Sequence, residues 1–111
     1  MTDKQYTICV SEAQNYTDRE SYISDLALSS IWGDGPEDDI PPARLEQLGS
    51  IYDAVHRSIK QIAADAGLTQ RKLADRFCIP VRTIEDWCAG KRTPPDYVRL
   101  MMQELLEQIS R

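Results

Sequence analysis

From Leu45 to Ile62 the apolar residues Leu45, Leu48, Tyr52, Val55, Ile59 and Ile62 fall at alternating steps of three and four. Only a helix gathers that spacing into one stripe. Pro42 suits a first helical turn, whose amide needs no partner, and Gly67 supplies a stop. The pattern predicts one helix of about six turns from Pro42 to Ala66. A seam of about three heptads fits a two-stranded coiled coil or the buried stripe of a bundle helix, and the bundle helix is the working expectation.

With 111 residues the chain has room for one compact core and an appendage. A 41% hydrophobic and 28% charged composition is that of a globular protein, and no apolar run is long enough to cross a bilayer. Met1 to Val10 lacks the apolar stretch of a secretory leader, so a cytoplasmic location is expected. Cys9, Cys78 and Cys88 form no C-x-x-C pair, which predicts reduced thiols and neither a disulfide framework nor a zinc site; no cofactor is expected.

The net charge of −5 argues against a nucleic-acid partner until its distribution is considered. Residues 1–55 carry 3 basic and 11 acidic side chains, a balance of −8, whereas residues 56–111 carry 10 basic and 7 acidic, a balance of +3.

In the acidic part, the alternation of Tyr6, Ile8 and Val10 predicts a short strand. Thr17 and Glu20 have the spacing of a capping box ahead of Ile23, Leu26, Ala27 and Ile31, which predicts a helix from about Asp18 to Trp32. Gly33, Gly35, Pro36 and the Glu37-Asp38-Asp39 cluster then read as a linker or loop. The expected division is an acidic extension over residues 1–40 and a second domain over 41–111. Tyr22, Leu26 and Trp32 of the extension could cover the long helix. Alternatively residues 1–40 form an arm for a basic protein partner or for a second copy of the chain.

The last third predicts three helices, Gln70–Phe77, Val81–Cys88 and Asp96–Ile109, with Val98, Met101, Met102, Leu105 and Ile109 on one face of the last. Thr69 caps the first and Pro80 opens the second. Leu73 and Phe77 face inward, Ala74 allows close approach, and Ile79, Ile84 and Trp87 complete the contact. Val81, Arg82, Thr83, Glu85 and Asp86 are left to point outward. Two short helices joined by a tight turn make a helix-turn-helix.

Leu68-Thr69-Gln70, Leu73-Ala74, Ile79-Pro80, Thr83-Ile84, Trp87 and Gly90-Lys91-Arg92-Thr93-Pro94 together resemble the signature of the Xre, or lambda-repressor-like, helix-turn-helix proteins. The resemblance covers about Ser58 to Leu106. It implies a mostly helical bundle with a long first helix, in which Val81–Cys88 enters the major groove of duplex DNA and the Gln70 helix crosses the backbone. Base edges would then be read by Val81, Arg82, Thr83, Glu85 and Asp86. Arg82 can fork onto a guanine and Thr83 can touch a thymine methyl. Gln70, Arg71, Lys91, Arg92 and Thr93 would contact phosphates.

Each residue also has a plainer role. Arg82 could pair with Glu85 or Asp86 at helical spacing, Lys91 and Arg92 could offset a helix dipole, and Gln70 could be an exposed helix former. Glu85 and Asp86 depart from the family, where Ser, Gln or Arg is usual, and put carboxylates beside a polyanion. Cys78 stands where Gly is common, at a cost on the order of 1 kcal/mol if its backbone is left-handed.

The only histidine, His56, has no nucleophile and carboxylate arranged with it in the sequence, and Gly33-Asp34-Gly35 is too short and acidic for a phosphate loop. No catalytic residue is assigned. The expectation is a cytoplasmic, homodimeric DNA-binding regulator, a repressor or autoregulator of bacterial or mobile-element origin. The alternative is a protein-interaction module, such as an antitoxin or a phage inhibitor of a host defence protein, that binds a basic partner.

Overall fold

The computed structural model describes residues 1–35 and 38–110, the side chains of residues 108–110 excepted. All regular structure in the described residues is helical, and no helix among them is long and apolar enough to cross a membrane. The chain forms two compact units, Met1–His56 and Arg57–Arg111. Pro36 and Glu37 of the expected linker, and the side chain of Ile109, lie outside the described residues.

The first unit contains α1 (Asp3–Ala13), α2 (Arg19–Ala27) and α3 (Pro42–His56). The strand expected over Tyr6–Val10 is instead the middle of α1. Thr2 accepts the Gln5 amide at 3.1 Å and Gln5 Oε1 accepts the Thr2 amide at 2.8 Å, a reciprocal cap that starts a helix. Cys9 and Ala13, four residues apart, form its buried face, while Tyr6 is 48% exposed. The alternation of Tyr6, Ile8 and Val10 therefore does not mark the face that packs.

The second helix starts one residue later than expected, because the cap is Asp18, which accepts the Ser21 amide at 2.9 Å. Accepting the Ser21 hydroxyl at 2.7 Å, and then this amide, holds the Asp18 carboxyl below its usual range. It also ends early, after Ala27. Ser29 accepts the Ile31 amide, and the chain makes a separate 3-10 turn, Ser30–Trp32, closed by Gly33 at φ 72°.

Tyr22 is fully buried, with Tyr16 and Tyr52 rings each 5.5 Å away, and its hydroxyl donates to the Cys9 carbonyl at 2.8 Å. Burial pushes the phenol's pKa up, which keeps it a donor. His56 stacks on Tyr52 and its Nε2 lies 2.8 Å from the Ala13 carbonyl. Since a carbonyl can only accept, Nε2 carries the proton and His56 ties the end of α3 to the end of α1.

The helix predicted from Pro42 to Ala66 is two. It stops at His56, and α4 (Ile59–Asp65) starts anew from Ser58, whose hydroxyl accepts the Gln61 amide at 3.1 Å. The seam is thus divided: Leu48 and Val55 are buried in the first unit, Ile59 and Ile62 in the second, and Leu45 is 41% exposed. The long first helix is absent because a serine cap competes with continuation inside the periodic run.

In the second unit α4 packs with α5 (Gln70–Phe77), α6 (Val81–Cys88) and α7 (Asp96–Ser110). Ile59, Ile62, Ala63, Leu73, Ala74, Ile84, Met102 and Leu106 form the core, with Phe77, Ile79, Trp87 and Val98 packed against it. The buried face of α7 is Val98, Met102 and Leu106; Met101 and Leu105, expected inside, are 58% and 41% exposed. Arg57 donates to Gln103 at 2.8 Å, and Arg99 pairs with Asp96 and reaches the Arg57 carbonyl. These bonds fasten the start of α4 to α7.

Helices α4, α5 and α6 all end in the same reversal. Leu68 N–H bonds the Ala63 carbonyl at 2.9 Å, Ile79 the Ala74 carbonyl at 2.9 Å, and Lys91 the Asp86 carbonyl at 2.9 Å. Each passes through one left-handed residue, Gly67 (φ 69°), Cys78 (φ 55°) and Gly90 (φ 78°). Only Cys78 carries a Cβ there. Cys78→Gly should accordingly stabilise the protein by about 0.5–1 kcal/mol, a rise of several degrees in Tm. An unchanged or lower melting temperature would show that this bend is not strained.

Candidate nucleic-acid interface

Helix α6 is held by one face. Ile84 is fully buried, and Val81, Trp87 and Cys88 pack on the same core. Because successive residues turn by about 100°, Arg82 and Glu85 are carried to the exposed side, with Thr83 and Asp86 half-buried beside them. Val81 is shared between the core and the outer face. Among the described residues Arg82 makes no ion pair, so the i,i+3 and i,i+4 pairing open to it in sequence is not formed.

Asp86 behaves differently from Glu85. Its side chain is only 18% exposed and lies 3.9 Å from Arg92 Nε, while its carbonyl accepts the amides of Lys91 and Arg92. That partly neutralises one of the two carboxylates in the helix.

On one side, α5 presents Gln70 and Arg71, both exposed, behind the Thr69 cap that accepts the Lys72 amide at 3.1 Å. On the other, Lys91, Arg92 and Thr93 are exposed and Pro94 is buried, which anchors their loop. The reversal that turns Leu68 and Ile79 toward the core delivers Lys91, in the third instance, to the surface.

Gln70, Arg82, Glu85, Asp86 and Lys91 share one open concavity of about 460 Å³. Arg71, Val81, Thr83, Arg92 and Thr93 lie outside its lining. Lys60, on α4, joins it. Sequence reasoning missed Lys60: its place after the buried Ile59 shows that it points outward, but only packing reveals that it points toward α6. The rim carries three cations against two carboxylates. Cations on an open face can neutralise phosphates, and an arginine on an exposed helix can reach base edges.

Residues 59–102 match the family model HTH_3, described as helix-turn-helix. No curated protein and no solved structure shows significant similarity to the chain. The matched span runs from the first residue of α4 to the buried Met102 of α7 and contains α5 and α6 entire. Over residues 59–102 the chain is thus similar to the helix-turn-helix family, the segment in which the resemblance to the Xre and lambda-repressor-like proteins lies.

Proposed function

We propose that this chain is a cytoplasmic transcription regulator that occupies duplex DNA through α6, acting as a repressor or autoregulator and as a homodimer on two half-sites about one helical turn apart. The observation that supports it is the orientation of α6, anchored by Ile84 with Arg82 turned outward into a concavity it shares with Gln70 and Lys91. In this reading Val81, Arg82, Thr83, Glu85 and Asp86 face bases, and Gln70, Arg71, Lys91, Arg92 and Thr93 face phosphates. Glu85 accepts from a cytosine amine, which turns its charge from a penalty into a selection.

The test is a binding titration on the duplex upstream of the protein's own coding sequence, at two salt concentrations. Arg82→Ala should cost roughly 1–3 kcal/mol and relax preference at one base pair, while Lys91→Ala should weaken all duplexes alike. Equal loss for Arg82→Ala on every base variant would remove its base-reading role. Failure of the unaltered protein to retain any duplex in dilute buffer would sink the reading.

A second reading is favoured by the charge of −8 over residues 1–55 and the exposed Tyr6, Leu28 and Leu45. In it residues 1–40 bind a basic protein, as an antitoxin or inhibitor would. Capture of a cationic partner by a chain that ignores DNA would support it.

A further inference from the structure

The duplex-facing surface proposed above comes from α5, α6 and the loop after α6, yet the open concavity there is also lined by a side chain of another helix. Lys60 lines it with Gln70, Arg82, Glu85, Cys88 and Lys91. Lys60 is exposed, and α4 packs on α6. Its ammonium is near enough to Cys88 to pull down a thiol pKa that burial mainly pushes up. Asp86, also on the lining, has Arg92 within 3.9 Å, so Glu85 is the less compensated carboxylate there.

The geometry points to Lys60 as a further contact for a backbone phosphate, so that the phosphate-binding surface extends onto α4. This rests on the duplex-binding reading. A phosphate oxygen entering the concavity would find Lys60, Lys91 and Gln70 on its lining, with the Glu85 carboxylate opposing it there. Lys60 therefore serves affinity and position and carries no base preference. It lies outside the α5–α6 turn and is invisible to a motif that counts only those two helices.

The experiment measures binding of the full chain to one duplex, and to a scrambled duplex of equal length, across a salt series. Lys60→Gln should flatten the slope of log K against log salt by about 0.9, so that roughly threefold less affinity is lost between about 50 and 200 mM salt. The loss should be equal on both duplexes. Lys60→Arg, which keeps the charge, should retain the slope. The same Lys60→Gln change in a Glu85→Gln background separates a phosphate contact from mere screening of Glu85. A persisting loss supports the contact, and its disappearance overturns it. If the unaltered chain binds and Lys60→Gln leaves the slope unchanged, or Lys60→Arg loses it too, the inference falls while the α6 reading stands. If the unaltered chain binds no duplex, both fall.

Discussion

Tyr22→Ala should destabilise the first unit by about 3–5 kcal/mol, the range for removing a buried aromatic ring. Tyr22 has no exposed surface and its ring is met by those of Tyr16 and Tyr52, so its loss leaves a cavity that both rings border. Tyr22→Phe keeps the ring and removes only the bond to the Cys9 carbonyl. That carbonyl lies inside a helix and retains its helical partner, so the cost should fall near 1 kcal/mol. Denaturant titrations of both variants check the pair. A cost below about 1 kcal/mol for Tyr22→Ala would mean that the ring does not organise this core.

Leu73→Ala should be comparably severe, about 2–5 kcal/mol, and its effect should reach function. Leu73 is fully buried in the core that includes Ile59, Ile84 and Met102, and α6 is oriented by its contact with α5. Against a total stability of about 5–15 kcal/mol for a typical domain, that loss threatens folding near physiological temperature. Duplex binding should decline in parallel with the folded fraction and recover on cooling. Arg82→Ala should behave oppositely, with its melting curve intact and binding impaired at every temperature. Full binding by a Leu73→Ala protein that melts more than about ten degrees lower is compatible with the core role; an unchanged melting temperature is not.

The second unit was largely legible because its local signals agree with its periodicity. Thr69 caps α5, Pro80 starts α6, and Leu73 and Ile84 are buried with Arg82 and Glu85 exposed, as the period implied, whereas Val81, Thr83 and Asp86 of the outward set are half-buried. The last helix was readable in extent but not in phase. Met101-Met102 and Leu105-Leu106 are doublets, so two adjacent stripes are equally apolar, and only packing selects Met102 and Leu106.

The first unit was harder to read for a related reason. Val55 and Ile59 stand four apart whether or not the helix continues between them, so the seam conceals the serine cap at Ser58. In α1 the apolar residues fit a period of two, and the decisive signal was the pair of polar residues Thr2 and Gln5, three apart. The outward side chains of α6 were assigned from its period, whereas Lys60 depends on a contact between helices that local spacing does not encode.

The two units differ in the sign of their charge: −8 within residues 1–55 and +3 within 56–111. Dissolved ions therefore act on them in opposite senses. Screening relieves the mutual repulsion of crowded carboxylates in one, and in the other it erodes attraction for a polyanion. Thermal robustness of the acidic unit and grip on a duplex by the basic one should therefore not be expected to peak in the same buffer.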